Sequence, residues 1–367
     1  MIETKNLFNF LKKNKINFFS GVPDSILRDT KEILEKKNKK LHIAAASEGI
    51  AAAICMGNYL ATKKMPCLYL QNSGLGNAVN PLASISHQKV YSIPLLILIG
   101  WRGAPGQKDE PQHMVKGKIT KNILKNLGIK YCVLEAKSDF KHLKKLISYG
   151  KKNNKPIACL IKKNTIFTKD SKKEKKKSTG IKREIFLNHL LNLINKTTRL
   201  ISTTGYTSRE LNQIRLKNKK VKGKDFYMVG GMGLTSSLAL GYSINSNKQV
   251  VCLDGDGSMI MHLGSLVNVG KFAGKNFKHI LLNNSCHESV GGQTTNVDKV
   301  NFKNISKNFG YKNYFFLKKE VEINKILKKF LKNPGPCFLE VKIKSKAIKN
   351  LGRPKNLNII KKNFMNF

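Results

Sequence analysis

The stretch 250–293, VVCLDGDGSMIMHLGSLVNVGKFAGKNFKHILLNNSCHESVGGQ, sets the tightest limit on what this chain can fold into. It opens on a short β-branched apolar run, Val250 to Leu253, that fits a buried strand, and it breaks at Gly255-Asp256-Gly257. Met259, Leu263, Leu266, Val267 and Val269 follow at helical spacing, and a second apolar run over 279–282 ends in Asn283-Asn284. Two parallel strands joined by a helix bring their carboxyl ends side by side, where open α/β sheets bind ligands. Asp256 and Asn284 are therefore expected to meet.

A carboxylate and an amide oxygen, with a main-chain carbonyl nearby, suit a hard divalent cation that keeps its other positions for phosphate oxygens and water. The expectation is Mg²⁺ on a diphosphate. Gly255 and Gly257 let the backbone approach the phosphates, and a helix opening near Ser258 aims free N–H groups at them. A GDG triplet alone fits equally well a βαβ turn whose Asp only caps a helix. GDGS followed by a helix, a strand and then NN is more specific, because turn, crossover and second ligand must all agree. In this form the stretch resembles the thiamine diphosphate signature of the pyruvate-decarboxylase-like enzymes.

The chain has 367 residues, enough for two domains that each bury a core. The expected division is 1–165, a lysine-rich linker over 166–180, and 181–367. The formal charge of +46 raises the question of nucleic acid. Only seven of the 68 basic residues are Arg, and the lysines spread along the chain without forming a stripe. Base and phosphate readout favours the planar fork of Arg, whereas dispersed lysine suits a solvated surface. No nucleic-acid partner is expected, although the field should draw anionic substrates inward. The opening residues lack the apolar core of a signal peptide, and no run approaches the ~18 apolar residues of a membrane span. Seven scattered cysteines without metal-ligand spacing fit a reducing cytoplasm.

In the first half, an apolar helical pattern leads to a strand over 16–20 and a turn carrying Asp24, which is either a cap or a group reaching into a site. Glu48 opens a strongly apolar helix, between AAA and GIAAAIC. A carboxylate there can serve the helix dipole. So apolar a setting should also raise its pKa, which suits proton exchange. Residues 72–77 look like a glycine-containing loop between a strand over 66–71 and a helix over 78–85. The strand over 93–100 runs into WRGAPGQKDEPQH, whose Arg102, Lys108 and His113 could bind a dianion. A helix over 119–127 and strands over 130–134 and 157–161 complete this half. In the second half, a helix over 183–194 and a strand ending at 202–205 precede a strand over 226–229, the turn Gly230-Gly231-Met232-Gly233 and a small-residue helix. The chain closes with a strand over 337–343 and a tail.

Taken together, SGVPDS, SEGIAAA, LYLQNSGLGNAVNPLASI, GWRGAPGQKDEPQH, STTGYTSREL, GDGS, LNN, SVGGQ and LGRP resemble the phosphonopyruvate decarboxylases, with the sulfopyruvate decarboxylases as nearest relatives. The resemblance implies an α/β chain of two thiamine-diphosphate-binding-fold domains, a pyrimidine-binding one followed by a diphosphate-binding one, each a mostly parallel sheet flanked by helices. It implies a homo-oligomer with active sites between subunits, acting on a small anionic 2-oxo acid. The implied reaction turns 3-phosphonopyruvate into phosphonoacetaldehyde and CO2, in phosphonate biosynthesis of the 2-aminoethylphosphonate type. Asp256, Asn284 and the Cys286 carbonyl would hold Mg²⁺. Met232 would prop the cofactor into its bent shape, the Gly230 carbonyl would accept from its 4′-amino group, and Thr204 would assist the diphosphate. Glu48 would hydrogen-bond the pyrimidine N1′. Arg102, Lys108, His113 and Arg353 are candidates for the phosphonate, and Asp24, His113, His287 and Glu288 for proton transfer.

Overall fold

A computed structural model describes residues 1–38, 40–169, 179–217 and 224–366. The chain divides into two compact units, Met1–Glu174 with Val290–Gln293, and Lys175–Ser289 with Thr294–Phe367. Most of the expected linker, 170–178, lies outside the described residues. Its first two positions are not linker: Ile166–Phe167 is a short strand paired in parallel with Ile2–Glu3.

The first unit is built on a six-stranded sheet of Phe19–Gly21, His42–Ala44, Cys67–Gln71, Leu96–Gly100, Lys130–Leu134 and Ile157–Ile161. All its pairings are parallel, and the strands lie in the order second, first, third, fourth, sixth, fifth. Leu96–Gly100 and Ile157–Ile161 are buried at every residue, as unbroken apolar runs must be when helices cover both faces of a sheet. One core lies on each face. Leu7, Leu11, Phe19, Leu98 and Cys159 pack in one, and Ala51, Leu70, Leu75, Ile97 and Trp101 in the other.

The second unit repeats the plan with Arg199–Ser202, Lys224–Tyr227, Val250–Gly255, Phe277–Asn283, Asn313–Leu317 and Cys337–Lys342, again all parallel. Its strand order is the same. In both sheets the order reverses between the first and third strands, so each unit has a crevice beyond the carboxyl ends of those two strands.

Several local expectations change. Residues 72–77 are helical: a 3₁₀ turn, Asn72–Gly74, runs straight into helix Leu75–Pro81 and a π turn, Leu82–Ser86. The helix placed at 119–127 is Pro111–Asn126, which starts within the polar segment because Pro111 takes a first-turn position. The single helix expected after GDGS is two, Asp256–Met261 and Ser265–Phe272. Helices Phe140–Lys152, Phe302–Asn308 and Ile323–Lys332 and strand Asn313–Leu317 were not foreseen. The tail contains helix Leu357–Met365, whose Phe364 packs edge-on against Phe226.

Candidate active site

In the second unit, Thr203 and Thr204 follow the first strand, while Gly255 ends the third strand and Asp256 opens the next helix. Thr203 Oγ1 donates to Ser258 Oγ at 2.9 Å, and the Gly233 N–H donates to the same oxygen at 3.0 Å. Ser258 thereby ties together the segments after the first, second and third strands and keeps its own hydroxyl proton to offer. Gly231 and Gly233 flank Met232 with φ of +62° and +89°, a left-handed backbone that holds the Met side chain out on a tight turn.

These segments line an open cleft whose walls include Thr204, Met232, Gly255, Asp256, Gly257 and Asn284. Ser258, Cys286 and His287 also line it. With Glu288, ten of the residues singled out from sequence thus meet in one place. Gly230 is not among the lining residues, although it stands two positions before Met232. Asp256 is buried and accepts from Thr295 Oγ1 at 2.5 Å. Burial pushes its carboxyl up to about 6 against the pull of Thr295 and the backbone N–H groups of Asp256, Gly257 and Asn284. Asn284 Oδ1 accepts from the Cys286 N–H at 3.2 Å. A Cβ at Gly257 would stand 2.5 Å from His287 Cε1, so only glycine lets that imidazole pack against the turn. Burial lowers His287 to about 4, which makes it a neutral ring near pH 7.

In the first unit, Ser47 caps helix Glu48–Thr62 by accepting from the Ile50 N–H, and Glu48 is 5% exposed. Asn77 Nδ2 donates to Glu48 Oε2 at 2.8 Å. The 3₁₀ turn passes so close that a Cβ on Gly74 would lie far inside van der Waals contact distance of Glu48 Oε1. Gly74→Ala is accordingly expected to drive the Glu48 carboxyl from its place. The expected cost is about 1–3 kcal/mol of stability, as for other overpacked sites, and at least tenfold in turnover. Urea midpoints and kcat measured on the same preparation check both.

Asp24 sits after the first strand of this unit, 1% exposed. Its Oδ2 accepts from the Ile26 and Leu27 N–H groups, while Oδ1 is buried and has no hydrogen-bond partner among the described residues. Burial raises the carboxyl from 3.8 to about 6, opposed by those N–H groups and by Arg102. A carboxyl raised on folding holds its proton more tightly in the native state. Its stabilising contribution is complete below the unfolded value near 3.8 and is lost as pH rises through about 6. Asp24→Asn should therefore gain on the parent chain between about pH 4 and pH 7, by up to about 3 kcal/mol. The difference between the two proteins' urea midpoints across that range is the measurement.

Arg102 donates from Nε and Nη2 to Asp109 at 2.6 and 2.5 Å and from Nη1 to Ser25 Oγ at 3.0 Å. Three of its five N–H groups are thus engaged. Burial pushes Asp109 up, but the guanidinium outweighs it and holds the carboxyl well below the usual range. Lys108 is exposed and His113 half-buried in the first turn of Pro111–Asn126. Arg353 is an exposed residue of the second unit, in a segment held by Arg209 through the carbonyls of Leu351 and Gly352. The 101–113 segment is no loose excursion, since Trp101 is buried and donates Nε1–H to the Gly117 carbonyl at 3.0 Å.

Residues 4–134 match the thiamine pyrophosphate enzyme N-terminal TPP binding domain, and residues 203–341 the C-terminal TPP binding domain. A phosphonopyruvate decarboxylase of Streptomyces viridochromogenes is 30% identical over 97% of this chain and 92% of its own length. The chain belongs to the phosphonopyruvate decarboxylase family of thiamine pyrophosphate enzymes. A second such decarboxylase, of Streptomyces hygroscopicus, is also 30% identical, over 97% of this chain and 91% of its own. A sulfopyruvate decarboxylase of Methanosarcina acetivorans is 27% identical over 79% and 78%. The cofactor of this family member is thiamine diphosphate (thiamine pyrophosphate), and its two TPP domains correspond to the two sheets.

Membership in this family makes the cleft's remaining walls notable, because Arg183 and Glu288 also line it; sequence reasoning gave Glu288 only as a candidate proton donor and passed over Arg183. Arg183 follows a lysine-rich run and opens a helix, a setting in which nothing in the sequence sets it apart from a solvated cation. Thr295, the hydroxyl on Asp256, lies in a polar stretch with no periodicity to mark it. Among the described residues, no helix is long and apolar enough to cross a membrane.

Proposed function

We propose that this protein decarboxylates 3-phosphonopyruvate to phosphonoacetaldehyde and CO2, using thiamine diphosphate and Mg²⁺. The observation that carries the reading is the convergence of Asp256, Asn284 and Cys286 with Thr204, Met232 and Ser258 in one cleft at the strand-order reversal of the second sheet. Oxygen donors around a buried carboxylate fit a hard cation of Mg²⁺ type. Burial without a countercharge pushes Asp256 toward its neutral form, and a divalent ion there would hold it ionised. Asp256, the Asn284 amide oxygen and the Cys286 carbonyl would hold that ion. Thr204, Ser258 and the side-chain-free Gly255 and Gly257 would leave room and donors for phosphate oxygens.

Thiamine diphosphate, when bound, supplies the electron sink into which the carboxylate's bonding pair is released. The chain's own residues prepare for that. Glu48, buried and steadied by Asn77, would hold a proton at its carboxyl toward the pyrimidine N1′. Met232 on its glycine-flanked turn would prop the bent cofactor, with the Gly230 carbonyl as acceptor. Asp24, half-protonated near pH 6, is suited to return a proton to the product. His287, neutral at pH 7, can accept a proton or donate a hydrogen bond but carries no spare proton. The substrate's dianion would draw on Lys108, His113, Arg353 and the two N–H groups that Arg102 keeps.

We also read the protein as a homo-oligomer in a reducing, cytoplasmic setting. Ile50 and Leu60 on Glu48–Thr62, and Leu238 on Thr235–Ser243 with Ile244 just beyond it, are large apolar side chains left exposed, the kind of surface a second copy covers. All seven cysteines are free thiols. Product analysis with phosphonopyruvate and sulfopyruvate at equal concentration tests the substrate. Phosphonoacetaldehyde as the faster-formed product supports the proposal. Faster sulfoacetaldehyde would transfer it to the sulfonate, and condensation products from added aldehyde would mark a carboligase.

A further inference from the structure

Arg183 is buried at the cleft between two carboxylates. Its Nη1 donates to Glu210 Oε1 at 3.0 Å and its Nη2 to Glu288 Oε2 at 2.6 Å. The same Glu288 oxygen accepts from Asn284 Nδ2 at 3.2 Å. An asparagine amide has two orientations related by a half-turn, and they present opposite chemistry to a cation. One offers a carbonyl oxygen and the other an NH₂ group. An ionised carboxylate can only accept, so Glu288 selects the orientation in which Nδ2 faces it. The Cys286 N–H, donating to Asn284 Oδ1, selects the same one.

We propose that Glu288, itself held by Arg183, is a positioning residue that fixes the Asn284 amide so that its carbonyl oxygen is presented to the divalent cation. This rests on the reading of Asn284 as a metal ligand. Arg183 has a second part in it. Without a cation at its side, Glu288 would be a carboxylate free to swing and compete for the ion; the guanidinium keeps it facing the amide. The other arm of Arg183 is anchored on Glu210, whose Oε1 also accepts from the Ile348 N–H at 3.1 Å, so the whole row is fastened to the backbone.

The test uses the full chain with thiamine diphosphate and Mn²⁺, an ion of the same oxygen preference whose bound fraction is read by electron paramagnetic resonance. Three substitutions separate orientation from charge. Glu288→Gln keeps an oxygen that can accept from both Asn284 and Arg183, and should bind Mn²⁺ within about threefold of the unchanged chain. Glu288→Ala should bind it about 10–100-fold more weakly, the usual cost of losing a group that orients a ligand. Glu288→Asp keeps the charge opposite Arg183 but withdraws the acceptor by one methylene, so it should weaken binding at least tenfold. It also serves if the Ala variant does not fold. Ala and Asp variants that bind within twofold of the unchanged chain overturn the proposal. So does a Gln variant as weak as Ala while Asp holds, because charge would then be the requirement. If the unchanged chain retains no Mn²⁺ with thiamine diphosphate, the metal reading itself has failed, a result distinct from any difference among variants.

Discussion

Asp256→Ala is expected to abolish Mg²⁺-dependent retention of thiamine diphosphate and, with it, turnover. The carboxylate is the one charged donor in the proposed ligand set, and Asn284 and a backbone carbonyl cannot replace its charge. The loss should exceed the ~10–100-fold that accompanies changes to groups behind a ligand. The same substitution is expected to make the cofactor-free protein more stable near pH 7. Burial raises the Asp256 carboxyl from 3.8 to about 6, so its stabilising contribution is present below 3.8 and lost as pH rises through 6. Removing an ionised group held against its desolvation should return up to about 3 kcal/mol, less what is lost when Thr295 gives up its acceptor. Calorimetric titration with cofactor and urea melts without it give the two readings. Opposite signs would mark a residue kept for binding at a cost in stability; intact cofactor affinity would contradict the metal assignment.

Glu48→Gln is expected to leave the fold intact and lower kcat by ~10²–10⁴, the range associated with a positioned acid–base group. Glutamine matches glutamate in shape, and its amide oxygen can still accept from Asn77 Nδ2. What it lacks is a proton that can be exchanged. Hydrogen exchange at the cofactor's C2 position, followed beside circular dichroism, is the decisive measurement. Unchanged exchange in a folded variant would remove Glu48 from the mechanism.

The second cleft was readable in advance because its parts lie at the ends of strongly apolar runs. Val250–Gly255 and Phe277–Asn283 are buried along almost their whole length, so their ends could be located and the turn chemistry interpreted. Where the signal was mixed, the reading went astray. Gly74 and Gly76 suggested a loop, but Leu75 and Ala78 bury into the core and pull the segment into a helix. Gly74 is there to admit a carboxyl, a close approach that no local propensity reveals. In Ile323–Lys332, lysines separate Ile323, Leu327 and Phe330, which share one buried face. Its helical period was present but hidden by composition. Arg102 shows another limit: its charge was evident, yet that Asp109 already engages it depends on how the intervening turn closes. Arg183 and Glu288 are 105 positions apart and share no motif, so only the folded chain reveals them as partners.

Both six-stranded sheets carry the same strand order, and every strand of each comes from one half of the chain. Among the described residues neither ladder borrows a hydrogen bond from the other half, so severing the polypeptide between them would leave two self-sufficient sheets. A gene for such a protein can be broken there into two cistrons, or joined from two, without redesigning either product's core.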